Sequence, residues 1–299
     1  MVWLGVDMGG TGTRWALHDT CGATVARGNV GGGSGVPEPA LRAAFVATLR
    51  ALATDLPVAP IGAVLGVTGA GLTPDTALTA AAAAALSLPT SRIWVMNDMH
   101  LAGHTAIGQG QSGHLIAAGT GTVGLHKTAD GHMHIVGGRG ILIDDAGSGA
   151  WIGLQALQTL WRQIEETGAP TGMEALSTHL FDALGGRDWD TTRRKIYSGD
   201  RGTSAALAPA VAAAARDGDV AALDVLTRAG QELARLATVL CRRFGPAPVA
   251  AFGGVFCLHP AITDGLRAAA PDAQITFPAL DFASHAATMA QTRFAPEDT

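Results

Sequence analysis

Two aspartates stand where they could do chemistry. Asp98 follows the apolar run Arg92 to Met96, and Asp7 ends the apolar run Val2 to Val6 beside Met8-Gly9-Gly10-Thr11-Gly12-Thr13. A carboxylate at a strand end can act as a general base toward a hydroxyl, the role that phosphoryl transfer requires. A helix N-cap is the other reading of Asp98, and the two are compatible. A carboxylate beside a glycine loop can hold Mg²⁺ through water against phosphate oxygens, which is the reading for Asp7, with a turn cap as its alternative. The glycines add the donors. Clusters at 9–12, 69–71, 119–121 and 253–254 end or join apolar runs. Glycine lets successive backbone N–H groups approach an anion closely.

Other chemical groups carry less. Asp144 and Asp145 are adjacent, so on a strand they point to opposite faces and only one can line a given site. His100 and His104 have a metal-ligand spacing, but Leu101 stands where an H-E-x-x-H motif needs Glu. His132 and His134 read as surface positions on one strand face, and Cys257 as a small buried residue. The three cysteines Cys21, Cys241 and Cys257 form no C-x-x-C pair, so a disulfide framework and a structural zinc site are poor readings and a reducing cytoplasm fits. Among 20 basic residues only Lys127 and Lys195 are lysines, and neither sits in a P-loop frame.

These residues need elements to hold them. Val2 to Met8, Arg14 to His18 and Ala23 to Gly28 read as a three-stranded meander. Because a second strand follows Gly9 to Thr13, that loop is a hairpin and not the strand–loop–helix of a dinucleotide fold. Residues 38–54 carry a helical pattern, Ile61 to Val67 a buried strand, 75–88 an alanine-rich helix, and Arg92 to Met96 a strand before a helix at His100 to Ile107. The meander then returns as Leu115 to Ala118, Val123 to Lys127 and His132 to Val136. Gly10 and Gly119, and again Gly22 and Gly131, are separated by 109 positions, so two related halves are expected, each with a hairpin phosphate loop, facing one another across a cleft. Downstream, Ile141 to Ile143 reads as strand-like, a helix starts at Trp151, and 165–205 is mixed. Helices at 204–216 and 219–243, a strand at Val249 to Phe252, a helix from Pro260, a strand at Ile275 to Phe277 and a helix near 284–291 complete the pattern.

The bulk composition agrees with a folded chain, long enough for one large domain or two ordinary ones. It has 299 residues, 47% of them hydrophobic, which excludes disorder, and 40 glycines without a G-x-y period, which excludes collagen. The net charge of −5 and the lack of a basic stripe argue against nucleic acid and a membrane surface. No charged leader precedes the first strand, and the longest apolar run, Ala77 to Leu88, is shorter than a membrane span. The expected domains are 1–108, on the substrate and phosphate side, and 109–299, on the nucleotide side, with the terminal helix able to return to the first.

Asp7-x-Gly-Gly-Thr-x-x-Arg14, Asn97-Asp98, Ala118-Gly119-Thr120-Gly121-Thr122, the 137–149 stretch and Gly253-Gly254 together resemble the actin-like ATPase and sugar kinase superfamily. Within it the chain is similar to the bacterial glucosamine and N-acetylglucosamine kinases, a branch that includes the BadF/BadG/BcrA/BcrD-type ATPases. The resemblance implies an α/β fold of two ribonuclease H-like domains with an interdomain cleft. It implies ATP and Mg²⁺ as cofactors, an amino sugar phosphorylated on its 6-hydroxyl, and a cytoplasmic homodimer. Carried over, Gly9, Gly10, Thr11, Gly12 and Thr13 bind the transferring phosphate, with Asp7 on the metal. Thr120 and Gly121 hold the ATP phosphates, Gly253 and Gly254 border the adenosine, and Asp98 is the base. Gly138, Arg139 and Asp145 line the sugar pocket, with backbone from Gly69 and Ala70. Gly137-Gly138-Arg139 before Asp145-x-Gly147-Ser148-Gly149-Ala150 is similar to the glucosamine branch, since the N-acetylglucosamine branch more often has Trp at the Arg139 position. Where the family has Asn after the third strand, this chain reads Gly31-Gly32-Gly33-Ser34-Gly35, and Ser34 is the candidate sugar contact. The other function implied by the same fold is an ATPase activator or sugar-sensing ATPase without small-molecule phosphotransfer.

Overall fold

The computed structural model describes residues 1–295 and divides the chain into two compact units, Met1–Gly108 joined by the residues from Leu280 on, and Gln109–Ala279. The first unit opens with the meander β1 (Trp3–Met8), β2 (Gly12–His18) and β3 (Thr24–Gly31). It continues as α1 (Pro39–Asp55), β4 (Ala63–Val67), α2 (Thr76–Leu86), β5 (Ile93–Asn97) and α3 (Asp98–Ile107). The sheet order is β3-β2-β1-β4-β5, antiparallel across the meander and parallel from β1 to β5. β4 is buried at every position, as its apolar Ala-Val-Leu-Gly-Val sequence requires of a strand covered on both faces. On one face Leu4, Val6, Leu17 and Leu65 pack with Phe45 and Leu49 of α1 and Leu78 of α2.

The second unit repeats the plan. It contains β6 (Gly113–Ala118), β7 (Thr122–Lys127) and β8 (Met133–Gly137), then α4 (Gly149–Thr167), α5 (Glu174–Leu184), α6 (Trp189–Tyr197), α7 (Arg201–Ala205), α8 (Ala208–Arg216) and α9 (Val220–Phe244). β9 (Val249–Phe252), α10 (Pro260–Ala269) and β10 (Ile275–Thr276) close it. Its sheet runs β10-β9-β6-β7-β8, with β6 antiparallel to β7 and parallel to β9. Read from β8, that is the order and direction of the first sheet. α9 buries Val225, Leu226, Ala229, Leu233, Leu236 and Leu240, a stripe at helical spacing. The last helix, α11 (Phe282–Phe294), belongs to the first unit and covers the other face of its sheet, where Ala286, Ala290 and Phe294 pack with Trp3, Val64 and Met96. No helix among the described residues is long and apolar enough to cross a membrane.

Several expectations are corrected. Ile141 to Ile143 is a turn, not a strand, and Leu142 and Ile143 are 97% and 80% exposed. Gly137, Gly138 and Gly140 before them and Asp145 after them all take positive φ, which curls the backbone out of an extended path. The helix expected over 204–216 is two helices, broken at Ala206 and Leu207, with Pro209 in the first turn of α8, where it needs no N–H. Cys257 is exposed, on the short turn after β9.

Candidate active site

Parallel pairing brings the ends of three strands to one edge of the first sheet. Met8 pairs with Val67 and Val67 with Asn97, so the segments after β1, β4 and β5 leave that edge together. Asp7 is the last residue but one of β1. Opposite it on β2 stands Arg14, whose Nη1 lies 3.8 Å from Asp7 Oδ2. The Asp7 carboxyl is pushed up to about 6, first by burial and then by the nearby Asp98 charge, with Arg14 pulling the other way. A half-buried carboxylate held at so high a pKa is short of cations. That fits one carboxylate of a Mg²⁺ site whose remaining ligands are water and phosphate. Among the described residues no group of three or more His, Cys, Asp or Glu could hold a metal alone.

Asp98 is the first residue of α3, one strand beyond β4 from β1, so about 10 Å separates the two backbones at ordinary strand spacing. The helix cap is Asn97, whose Oδ1 accepts the Met99 N–H at 2.8 Å, with Asp98 Oδ1 at 2.9 Å from the same donor. Asn97 Nδ2 donates to Ala70 O at 2.6 Å and so ties the β5 end to the Gly69-Ala70 turn. Asn97 thus supports both neighbours.

The β1–β2 loop is a tight hairpin, with Gly9 N–H donating to Gly12 O at 2.9 Å. A Cβ added at Gly10 or Gly12 would meet nothing within 4 Å. Neither packing nor positive φ demands glycine there, so the open space is available to a ligand. The Gly31–Gly35 run has a different purpose. Gly33 N–H donates to Gly9 O at 3.1 Å, Gly35 N–H donates to Thr68 O at 2.9 Å, and Thr48 Oγ1 donates to Gly32 O at 2.8 Å. A Cβ on Gly32 would stand 2.1 Å from Gly10 O. The run is a strap bound between the hairpin and the Thr68-Gly69 turn. Ser34 lies on it, and its hydroxyl faces Thr68 O at 3.5 Å and accepts the Val36 N–H at 3.3 Å.

The second unit assembles its own set at the matching edge. Gly119 N–H donates to Gly121 O at 2.9 Å, the counterpart of the first hairpin. Thr13 and Thr122, at equivalent positions, are both buried with hydroxyls that find no partner among the described residues. Gly253 meets this hairpin closely, since a Cβ there would lie 2.2 Å from Ala118 O, while Gly254 is open. Asp145 is only 3% exposed, in left-handed conformation, with Oδ1 accepting the Gly140 N–H at 3.3 Å. Its Oδ2 lacks a partner among the described residues and would lie 2.8 Å from a Cβ on Gly121. Asp144 instead pairs with Arg235 at 3.2 Å. Gly138 and Arg139 are on the exposed turn, and no ion pair joins Arg139 to Asp145. The hairpins are legible in the sequence by their repeat, whereas of the strap only Ser34 stands out as a site candidate. The strap's partners are remote in sequence, and its one local signal is its glycine density.

Comparison with known proteins agrees with this architecture. Residues 4–276 match the model of the BadF/BadG/BcrA/BcrD ATPase family. The chain belongs to that family. No curated protein sequence matches the chain. A structure from Chromobacterium violaceum, proposed to be an N-acetylglucosamine kinase, is 29% identical, with a TM-score of 0.74 over 97% of this chain and 99% of its own. A Porphyromonas gingivalis structure with the same proposed activity shares the fold at 18% identity and a TM-score of 0.72, over 96% and 98% of the two chains. A ROK family glucokinase from Streptomyces griseus, solved with glucose and AMPPNP, shares it at 18% identity and a TM-score of 0.59, over 98% and 100%. This member of the BadF/BadG/BcrA/BcrD family is therefore α/β with two like-folded units, in an actin-like ATPase and sugar kinase architecture, and the family uses ATP.

Proposed function

We propose that the protein is an ATP-dependent kinase that phosphorylates the 6-hydroxyl of an amino sugar, with glucosamine preferred over its relatives. The observation that carries the reading is the pairing of an open glycine hairpin and the half-buried Asp7 with Asp98 at a neighbouring strand end. The similarity to the C. violaceum protein supports a sugar as acceptor.

On this reading Asp98 accepts the proton of the attacking hydroxyl, and Asn97 fixes it by capping the helix. Backbone N–H groups of Gly9, Gly10, Thr11, Gly12 and Thr13 receive the transferring phosphoryl group, and Thr120 and Gly121 hold the ATP phosphates. Such preset donors stabilise charge without reorganising during transfer. Asp7 holds Mg²⁺, which neutralises phosphate charge when bound. Gly253 and Gly254 border the adenosine. Gly69, Ala70, Ser34, Gly138, Arg139 and Asp145 line the sugar, and the partnerless Asp145 Oδ2 offers an acceptor suited to an amine or hydroxyl.

ADP release is measured with glucosamine, N-acetylglucosamine, N-acetylmuramic acid and glucose, and the product is identified by mass. A sugar 6-phosphate is expected, formed fastest from glucosamine. Sugar-independent hydrolysis without a phosphorylated product would instead identify an ATPase switch. Asp98→Asn is expected to lower kcat by roughly 10²–10⁴-fold while ATP still binds. A wild-type kcat in that variant would remove Asp98 from the role of base.

A further inference from the structure

We propose that Arg201 is a phosphate-contacting cation of the second unit's hairpin, Gly119 to Thr122. This rests on the reading that this hairpin holds the ATP phosphates. Phosphate loops of the P-loop kind carry a lysine. Here Lys127 is buried at the far end of β7, donating from Nζ to Gln111 O at 2.8 Å, and Lys195 lies on α6. Neither stands at the hairpin.

Packing brings Arg201 there from a distance of 80 positions in sequence. The first turn of α4 is latched to the hairpin, because Gly149 N–H donates to Gly119 O at 2.8 Å and Ala150 N–H to Thr120 O at 3.3 Å. α7 then lies directly on α4. A Cβ on Gly153 would stand 2.2 Å from Ser204 O, and one on Gly149 would touch Ala205 Cβ at 3.5 Å. Glycine at both places lets the two backbones meet, and Arg201 opens α7 on the hairpin side. The result is that a Cβ on Gly121 would lie 3.4 Å from Arg201 Nη1 and 2.8 Å from Asp145 Oδ2.

The two charges flank Gly121 without bonding. Asp145 Oδ2 is buried and lacks a hydrogen-bond partner, and Arg201 is exposed and forms no ion pair among the described residues. Asp145 Oδ2 and Arg201 Nη1 both lie beside Gly121. The guanidinium keeps its N–H groups for an anion arriving from solvent, where a Cβ on Gly119 would meet nothing within 4 Å. A planar, permanently charged fork beside backbone donors suits phosphate oxygens.

The test is calorimetric titration of the full chain with MgATP, comparing wild type, Arg201→Gln, Arg201→Lys and the exposed Arg162→Gln as a charge control. Arg201→Gln is expected to weaken ATP binding about tenfold or more, the usual scale of one charged hydrogen bond. It should also flatten the salt dependence of binding and leave Tm unchanged. Arg201→Lys should recover part of the affinity, and Arg162→Gln should match wild type. An Arg201→Gln affinity within twofold of wild type overturns the proposal and leaves the kinase reading standing. Equal losses in Arg201→Gln and Arg162→Gln overturn it as well, because the effect is then general charge. If wild type itself binds no MgATP, the kinase reading falls and the proposal with it.

Discussion

Asp7 is a residue whose charge is costly to the fold. Its carboxyl titrates near 6 in the folded chain against 3.8 in a model peptide, because burial disfavours the charge more than Arg14 favours it. The folded state therefore binds the proton more tightly than the unfolded state. The contribution of Asp7 to stability is therefore greatest at acid pH, where both states are protonated, and falls as pH rises from about 4 through about 6. Above that window the charged Asp7 costs the fold on the order of 2–3 kcal/mol. Asp7→Asn is thus expected to raise Tm at pH 7.5 and to give little gain at pH 4. The same variant should lose nearly all phosphotransfer. Paired thermal melts at the two pH values and one activity assay check this. An unchanged Tm at pH 7.5 would show that the burial penalty is already relieved. Asp7 and Asp98 were both legible in the sequence because each ends an apolar run. The coupling between them was not, since it depends on β4 being inserted between their strands.

At the level of the element, the first hairpin and its strap use glycine for opposite reasons. Gly10 is open to solvent, whereas Gly32 is pressed against the Gly10 carbonyl. Gly10→Ala should therefore fold with a near-normal Tm and lose ATP-dependent activity, because the new methyl occupies the ligand's approach. Gly32→Ala should destabilise the first unit by about 1–3 kcal/mol, the usual cost of overpacking. Denaturant melts separate the two, and a Gly10→Ala variant with full activity would sink the hairpin assignment. The hairpins themselves could be read from sequence, since Gly10 and Gly22 recur at Gly119 and Gly131 and the strands between them alternate. The strap could not, because glycine density does not say what the backbone is pressed against. The apolar Ile141 to Ile143 departs from its sequence pattern for a related reason. Its hydrophobicity suggests a strand, but flanking positive-φ residues decide its path. The stretch 165–205, which holds α5 to α7, gave no clear period because its helices are short and separated by glycine turns.

For the whole molecule, chain order and physical membership differ. The repeat at 109 positions shows where the second half begins, but it does not reveal what the first half needs to be stable. β1 carries Gly5, where a Cβ would lie 2.0 Å from Ala283 O and 2.1 Å from Ala287 N, so α11 rests directly on the strand backbone. Ala283, Ala286, Ala287, Ala290 and Phe294 are buried there. At about 0.8 kcal/mol per buried methyl and 2–3 kcal/mol for a phenylalanine, that face contributes on the order of 5 kcal/mol. This is comparable with the whole stability margin of an ordinary domain. The sheet of the second unit, β6 to β10, and the long α9 lie within Gln109–Ala279. A fragment of residues 109–279 is therefore expected to melt cooperatively on its own. Residues 1–108 alone are expected to be unfolded or aggregated, with Trp3, Val64 and Met96 stripped of cover. Adding a peptide of residues 280–299 in excess should restore secondary structure to the 1–108 fragment, read by circular dichroism, and Gly5→Val in that fragment should abolish the rescue. A cooperative melt of 1–108 without the peptide would show that the meander, α1 and α2 suffice, and that α11 only covers a sheet already stable.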